Sequence, residues 1–415
     1  MGTGAGPLRL AGGRVLLPDG RLTQRDLVLD GGTVHAVLPP GAPAPPLGAE
    51  RARREGPGEA TPADLDGTGG PAETRWDVSG QVVAPGFIDT HVHGALGHSF
   101  MAPDPDGLAA IGGHLARHGV TACVATTVSA APDALAAAVR GLAAAGGRLG
   151  GCGVHLLGLH LEGPFISPQA RGVHPAERLR TATAAEIHRL HAAAGGALRT
   201  VTLAPELPGG AEAVAVLAEL GVSASLGHST AGYEQARRAF DAGVRRVTHC
   251  FNALPPIDRH APGAVTAALV DERVRVEVIA DGRHVAAPLL RFLHDAVGPD
   301  RMMAVSDGSD VSGLPDGAHR RWEGTEVSVR GGEITAAGGG PAGGGRALDH
   351  AVATLVGAGV PLAAALRTAS ATPAAQLGAA AKGRIAPGAD ADLVVLDPDL
   401  SVAATVIGGR IVYRR

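Results

Sequence analysis

The sequence contains almost no lysine. Of the 36 basic Lys and Arg residues in the 415-residue chain, only Lys382 is a lysine. It lies in "AAAKGRIAPG", which matches no nucleotide-binding or catalytic lysine motif. P-loop nucleotide sites, Schiff-base enzymes and metal sites bridged by a carbamylated lysine each need a lysine in a defined motif. The chain is therefore expected to use none of these chemistries.

Cysteines are also few. Cys123, Cys152 and Cys250 are widely spaced and form no C-x-x-C pair. Neither a disulfide framework nor a thiolate metal site is expected from such a pattern. We interpret the three residues as small apolar side chains of the core.

Long apolar runs and a strong charge imbalance are missing as well. No apolar run reaches the roughly 18 residues of a membrane-spanning helix, and the N-terminal residues do not resemble a secretion signal. The formal net charge of -4 gives no reason to expect nucleic acid or an anionic membrane as a partner. We therefore expect a cytoplasmic protein that binds neither.

Short apolar runs that alternate with Ala- and Leu-rich helical stretches fill the middle of the chain. Eight such runs occur, as expected for buried parallel strands, which are apolar on both faces. In order they are "VVAPGFIDTHVHG", "VTACVATT", "VHLLGLHLEGP", "TVTLAPE", "VSASLGHS", "RVTHCFN", "VRVEVIAD" and "MMAVSDG". The pattern predicts an α/β fold, a (β/α)8 TIM-like barrel over residues 85–382.

The two ends of the chain have a different pattern. Both consist of short strand-like runs separated by "DG" and "GG" turns, which is typical of antiparallel sheets. We predict that residues 1–84 and 383–415 together form a small β-sandwich domain. Residues 39–73 are rich in Pro, Gly, Ala and charge, and are expected to be a flexible insertion.

Polar residues follow the apolar runs of the predicted barrel. They are His91 and His93 after run 1, Glu162 after run 3, His228 after run 5, His249 after run 6, Asp281 and His284 after run 7, and Asp307 after run 8. In such barrels the carboxyl ends of the strands face one common mouth. An ionised Glu is rarely buried without a positive partner, and the residues next to Glu162 offer none. A metal ion is the simplest partner.

A single histidine at a strand end is more often a hydrogen-bonded structural residue than a ligand. His228 or His249 alone would not indicate a metal, but the coincidence of several such residues on successive strands does. Imidazole and carboxylate donors without thiolates suit zinc, with iron, manganese and cobalt as alternatives. A divalent ion there would activate water for hydrolysis. Asp307 is expected to be the general base and acid; the alternative is that it only holds or supports the metal.

Several motifs in the chain resemble one known family. They are "PGFIDTHVHG", "HLEGPFISPQARGVHP", "LAPE", "GHSTAGYEQARRAFDAGVRRVTHCFNAL", "ADGRHV" and "SDG". In this order they are similar to the motifs of the N-acetylglucosamine-6-phosphate deacetylases of the amidohydrolase superfamily. The resemblance spans nearly the whole chain and implies a metal-dependent barrel with a small β-sandwich, and a homodimer.

The resemblance also implies roles for individual residues. It implies that Glu162, His228 and His249 bind one metal, and that His91 and His93 match a pair that some members use for a second metal. It implies that Asp307 is the catalytic aspartate and that His174 lies near the amide carbonyl. It also implies that His284, Asn252 and Ala253 bind the substrate. Arg259 and His260, in "DRHAPG", stand where the family usually has a phosphate-binding arginine, but in exchanged order.

Two further departures from the family lie nearby. "SDGSDVSG" adds Gly308 and a second acid, Asp310, after the catalytic aspartate. A loop that resembles "LAGS" in the family is here the glycine-rich "GGGPAGGGRALDH". These departures affect the expected contacts with the sugar, whereas the predicted metal ligands are unchanged.

The leading hypothesis is a metal-dependent deacetylase of an N-acetylated amino sugar, N-acetylglucosamine 6-phosphate, with one or two ions. The first alternative is the same reaction on a different N-acyl amino sugar or aminocyclitol, with or without a phosphate. The second is a catalytically silent relative that binds an amino sugar. The intact Glu162, His228, His249 and Asp307 argue against a silent protein.

Overall fold

The computed structural model of the protein describes residues 6–45 and 73–415. Most of the predicted insertion at 39–73, namely residues 46–72, therefore lies outside the described residues. Among those described, no helix is long and apolar enough to cross a bilayer.

Strands and helices follow one another along the described chain. The strands are β1 (Leu8–Leu16), β2 (Leu22–Asp30), β3 (Thr33–Leu38), β4 (Thr74–Asp77), β5 (Val82–Pro85), β6 (Phe87–Val92), β7 (Gly94–Ala95), β8 (His98–Ser99), β9 (Val120–Thr127), β10 (Arg148–Leu149), β11 (Val154–Glu162), β12 (Leu198–Leu203), β13 (Ser223–Leu226), β14 (Arg246–Val247), β15 (Arg275–Ile279), β16 (Met302–Val305), β17 (Gly317–Arg320), β18 (Glu326–Arg330), β19 (Glu333–Ala336), β20 (Leu393–Leu396), β21 (Val402–Ile407) and β22 (Arg410–Arg414). The helices are α1 (Pro105–Arg117), α2 (Pro132–Ala144), α3 (Ala184–Ala193), α4 (Gly210–Glu219), α5 (Tyr233–Asp241), α6 (Gly263–Val270), α7 (Ala287–Val297), α8 (Leu348–Gly357), α9 (Leu362–Thr368) and α10 (Ala371–Gln376).

Eight parallel strands form the predicted barrel. They pair in the order β6-β9-β11-β12-β13-β14-β15-β16, and each carries one of the eight apolar runs. The ring closes between its last and first strands, where the N–H of His93 donates to the carbonyl of Gly308 at 2.7 Å and Val92 bridges to Gly308. The (β/α)8 prediction is confirmed.

The helices between the strands bury one side against the barrel. In α1, the side chain of Asp104 caps the first turn by accepting from the N–H of Gly107 at 2.8 Å. Proline follows at the first helical position, where its missing N–H costs nothing. Leu108, Ile111 and Leu115 recur at helical spacing and are buried.

The two ends of the chain meet in a separate sheet, as predicted. Its strand order is β3-β2-β1-β5-β20-β21-β22, with β4 beside β1. The join is β5, which pairs with β1 from the N-terminal part and with β20 from the C-terminal part. Only Gly86 separates β5 from β6, and a Cβ there would lie 2.2 Å from Thr121. We propose 85–382 and 1–84 with 383–415 as the domain boundaries.

A three-stranded antiparallel sheet was not anticipated. It consists of β17, β18 and β19, inserted between the last barrel strand and α8. Val327, Val329 and Ile334 are buried beneath it together with Val311 and Ala342. This insertion brings a hairpin tip to the mouth of the barrel.

Candidate metal centre and active site

Three of the predicted metal-binding and catalytic residues lie on strained backbone at the mouth of the barrel. His228, His249 and Asp307 each follow the end of a barrel strand by two residues, and their φ angles are 47°, 28° and 49°. A non-glycine residue in this left-handed region costs roughly 1–2 kcal/mol. The strands turn sharply at these points, which directs the three side chains into one space.

Glu162 is at the centre of the site. It ends β11, is buried, and is approached by ring nitrogens from five histidines. The Nε2 atoms of His91, His228 and His249 lie 3.2, 3.2 and 3.0 Å from its Oε1, and those of His93 and His174 lie 3.3 and 3.2 Å from its Oε2. Among residues 6–45 and 73–415, no lysine or arginine pairs with this carboxylate, and imidazoles surround it instead.

The hydrogen bonds of His228 and His249 show which of their ring nitrogens can bind a cation. The Nδ1 of His228 lies 2.8 Å from the carbonyl oxygen of Ala170, and that of His249 lies 3.2 Å from the carbonyl oxygen of Asn252. Since a carbonyl only accepts, each Nδ1 carries the hydrogen and each Nε2 presents a lone pair. The two Nε2 atoms are 3.0 Å apart and both face Glu162 Oε1. Such a set of acceptors fits a divalent cation.

A second group of possible ligands adjoins the first. His91, His93 and Asp307 place one ligand atom each within 4.8 Å of one another. The Nδ1 of His91 lies 3.3 Å from Glu277 Oε2, so the carboxylate orients the ring with its Nε2 lone pair toward the site. Asp307 Oδ1 is 3.2 Å from His93 Nε2 and 3.4 Å from His91 Nε2. This group could hold a second divalent ion.

His174 has the opposite ring polarity. The backbone N–H of Ser129 donates to its Nδ1 at 3.2 Å, and the Ser129 hydroxyl lies 2.8 Å away. An Nδ1 that accepts leaves the hydrogen on Nε2, which points at Glu162 Oε2. His174 therefore presents a donor to the site, as an oxyanion partner must, although it lies close enough to Glu162 and His228 to be grouped with them as a ligand.

The site is strongly polarised. Burial raises the pKa of Glu162, but the surrounding histidines, His91 foremost, outweigh burial and hold that pKa well below its usual value. Burial likewise raises the pKa of Asp307, but the adjacent His91 and His93 outweigh burial and lower that pKa. Burial lowers the pKa of His174 to about 4. At neutral pH the site thus contains two ionised carboxylates and a neutral His174.

A cavity of about 370 Å³ opens over these residues. Its wall includes the predicted substrate contacts Asn252, Ala253 and His284. Asp281, which also follows run 7, instead accepts from His284, with 2.7 Å between its Oδ2 and the ring Nδ1. The carboxylate fixes the orientation of His284 at the cavity wall.

Arg259 and His260 are not part of that cavity. Both are exposed on the loop after β14, where the Nε of Arg259 donates to the Nε2 of His260 at 2.9 Å. Within one chain, the structure does not bring them to the predicted ligands.

Some functional neighbours were missed at the sequence level. Glu277 and Arg246 are fully buried in adjacent strands and form an ion pair. A charge inside the apolar run "VRVEVIAD" was the available signal, because a buried carboxylate needs a partner. Ser129 and Arg321 gave no such signal, since nothing in the local sequence predicts that either would contact the site or its cavity.

Comparisons with known proteins agree with the resemblance of the sequence motifs. Residues 82–412 match the model of the amidohydrolase family. The chain is 39% identical over 333 residues to an N-acetylgalactosamine-6-phosphate deacetylase of Escherichia coli O157:H7, covering 80% of this chain and 88% of the relative. It is 38% identical over 357 residues to a human N-acetylglucosamine-6-phosphate deacetylase, covering 83% and 86%.

Solved structures show the same relationship. A D267A mutant of N-acetyl-D-glucosamine-6-phosphate deacetylase from Mycobacterium smegmatis, in complex with N-acetyl-D-glucosamine-6-phosphate, superposes with a TM-score of 0.84. It is 36% identical, and the match covers 98% of this chain and 100% of that one. The Pasteurella multocida N-acetylglucosamine-6-phosphate deacetylase gives a TM-score of 0.84 at 25% identity, covering 99% and 100%.

Proposed function

This chain belongs to the amidohydrolase family, and we propose that it hydrolyses the acetamide of N-acetylglucosamine 6-phosphate to glucosamine 6-phosphate and acetate. The observation that carries the proposal is the set of lone pairs from His228 and His249 around the buried Glu162, with the ionised Asp307 beside it. The relatives named above act on phosphorylated N-acetylamino sugars, as their names state. The enzyme is a hydrolase of a carbon–nitrogen bond.

The family implies a divalent metal, and the residues present fit one. Glu162, His228 and His249 would hold it, and His91 and His93 with Asp307 would hold a second ion. We propose zinc, because the donors are imidazoles and carboxylates without thiolates. A bound divalent ion supplies Lewis acidity, which acidifies water and polarises a carbonyl.

The chain's own residues move the protons and bind the oxyanion. Asp307 accepts a proton from the attacking water and delivers it to the sugar nitrogen as the carbon–nitrogen bond breaks. The Nε2–H of His174 donates to the carbonyl oxygen, whose charge grows in the transition state. The acetyl group leaves as acetate and the sugar as a free amine.

Residues at the cavity wall and on the exposed loop after β14 suggest how the sugar is bound and how subunits assemble. We propose that Asn252, Ala253 and His284 contact the phosphorylated sugar. The exposed Arg259 and His260 would then serve a neighbouring subunit's cavity in a homodimer. We also propose a cytoplasmic location.

N-acetylgalactosamine 6-phosphate is the second candidate substrate. The 39% identity to a deacetylase of that sugar favours it specifically. The two sugars differ only in the orientation of one ring hydroxyl, at C4. The metal site and the acetamide chemistry would be the same for both.

Acetate release by the zinc-loaded protein tests the proposal. N-acetylglucosamine 6-phosphate, N-acetylgalactosamine 6-phosphate and unphosphorylated N-acetylglucosamine would be compared, with Asp307→Asn as the control. Release from a phosphorylated sugar that is lost in the control supports the proposal. A metal-loaded protein that releases acetate only from the unphosphorylated sugar, or from none, would contradict it.

A further inference from the structure

The tip of the β17–β18 hairpin forms part of the cavity wall. The two strands pair from Gly317 with Val329 to Arg320 with Glu326. The turn between them is closed by the N–H of Arg321, which donates to the carbonyl of Thr325 at 2.9 Å. Arg321 and Glu323, within this turn, line the same cavity as the candidate metal ligands.

Asp310 fixes this tip to the barrel. Its Oδ2 accepts from the backbone N–H of Trp322 at 2.5 Å, and its Oδ1 is 3.6 Å from the Nε of Arg321. Asp310 is one of the residues by which the sequence departs from the deacetylase motif. The extra acid and the hairpin arginine are therefore parts of one arrangement.

The guanidinium of Arg321 is buried with unused hydrogen-bonding capacity. The residue is 6% exposed, and its Nε and Nη1 make no hydrogen bond with any residue in 6–45 or 73–415. Its Nε lies 3.2 Å from Glu323 Oε1, but out of hydrogen-bond alignment. Buried donors without partners are costly and uncommon, so an arginine that lines a cavity in this state indicates a ligand.

The charges around Arg321 favour a neutral polar ligand group over a phosphate. One guanidinium faces two carboxylates, Asp310 and Glu323, so a dianion placed there would be repelled. A ring hydroxyl both donates and accepts, so it can accept from Arg321 and donate to Glu323 at once.

We propose that Arg321 and Glu323 bind the ring hydroxyls of the hexosamine and determine which epimer the enzyme accepts. Asp310 is the residue that positions them. The inference rests on the proposed function and names the part of the cavity that selects the sugar. It also gives Asp310, the second acid of the departure "SDGSDVSG", a role.

Epimer discrimination tests this inference. The ratio of kcat/KM for N-acetylglucosamine 6-phosphate and N-acetylgalactosamine 6-phosphate would be measured for the wild type, Arg321→Met and Glu323→Gln. Loss of one charge-assisted hydrogen bond to the substrate corresponds to a decrease of about 10- to 100-fold in kcat/KM. Each variant is expected to lose about that much on the preferred epimer and far less on the other, which brings the ratio close to one. The matched control is Arg320→Met, because Arg320 is the exposed neighbour that pairs with Glu326 on the surface.

Equal losses on both epimers, or no loss, would overturn the inference while leaving the deacetylase activity established. Glu323→Gln keeps the size of the side chain, so it still gives a result if Arg321→Met misfolds. If the wild type deacetylates neither sugar, the proposed function fails. Calorimetric binding of both sugars to Asp307→Asn, with and without Arg321→Met, then decides the inference separately: tight, epimer-selective binding that needs Arg321 supports it, and any other result refutes it.

Discussion

The five histidines around Glu162 are chemically distinct although they are equally close to it. His228 and His249 direct a lone pair at the carboxylate because carbonyl oxygens hold their Nδ1 hydrogens. His174 directs a hydrogen, because the N–H of Ser129 occupies its Nδ1. Proximity alone would group His174 with the metal ligands, and only its hydrogen-bond partner shows that it is a donor.

A pair of asparagine substitutions tests this distinction. His228→Asn should release the metal of the first site, because it removes a ligand atom. His174→Asn should keep that metal and lower kcat about 100- to 1,000-fold, the usual effect of losing one oxyanion donor. Metal content and kcat would be measured for both. Loss of metal from His174→Asn would show that His174 is a ligand.

Asp307 offers the second prediction at this scale. Its carboxylate is ionised and lies within 3.4 Å of His91 and His93. Asp307→Asn keeps the shape but cannot accept a proton, so kcat should fall about 100- to 10,000-fold. The ion at Glu162, His228 and His249 should remain, which metal analysis of the same sample checks. A variant with near-normal kcat would exclude Asp307 as the general base.

At the scale of elements, β14 and β15 carry a buried ion pair that contacts the site. Arg246 and Glu277 stand on these neighbouring strands, and Arg246 also donates to the carbonyl of Thr90 at 3.1 Å. Glu277 faces Arg246 with one oxygen and His91 with the other. Burial lowers the pKa of Arg246 to about 9, yet the group stays charged at neutral pH. The ion pair therefore links the barrel interior to His91, one of the proposed ligands of a second ion.

Glu277→Gln should show two effects of this pair, one on the free energy of unfolding and one on the affinity for the metal. Leaving Arg246 buried and unpaired should lower the free energy of unfolding by about 3–5 kcal/mol. Loss of the carboxylate that contacts His91 Nδ1 should weaken the binding of the second ion about 10- to 100-fold. Urea unfolding and metal titration measure the two effects. Arg246→Met with Glu277→Leu should recover much of the stability but not the metal affinity; recovery of both would contradict a role in orienting His91.

The barrel strands were predicted and the β17–β19 sheet was missed. Strands buried on both faces are continuous apolar runs, which stand out in a sequence. β18 buries alternate residues of "EVSVR" and is followed by a "GG" turn, the same type of pattern that predicted the sheet of the chain ends, but its strands are short and lie within the part of the chain that was interpreted as a barrel. The convergence of the proposed metal ligands was predictable because the strand ends meet at one mouth of the barrel. Ser129 and Arg321 gave no signal, since their partners come from distant parts of the chain. The charge of Glu277 within an apolar run was visible, but its partner Arg246 was not.

At the scale of the whole molecule, the single lysine stabilises the C-terminal half of the split β-domain. Lys382 Nζ lies 2.9 Å from Asp390 and 2.5 Å from Asp392, just before β20 begins. Asp392 Oδ1 also accepts from the N–H of Gly408 at 2.8 Å, and its Oδ2 lies 3.4 Å from His155 in the barrel strand β11. The carboxylate of Asp392 thus connects the end domain to the barrel.

This connection predicts a pH-dependent stability. Burial raises the pKa of Asp392, but His155 and Lys382 outweigh it and lower that pKa from 3.8 to about 2. Because the folded pKa is the lower one, the stabilisation is complete well above pH 4 and is lost as the pH falls through 2. It amounts to about 2 kcal/mol. The difference in unfolding free energy between wild type and Asp392→Asn should therefore be about 2 kcal/mol at pH 7 and about half of that near pH 3. Metal loss in acid affects both proteins and cancels in the difference.

Asp390→Asn is the matched control for this prediction. The Asp390 carboxylate pairs with the same lysine but is one-third exposed, so it should contribute less than about 1 kcal/mol. A difference for Asp392→Asn that stays constant from pH 7 to pH 3 would mean that its charge does not hold the two domains together.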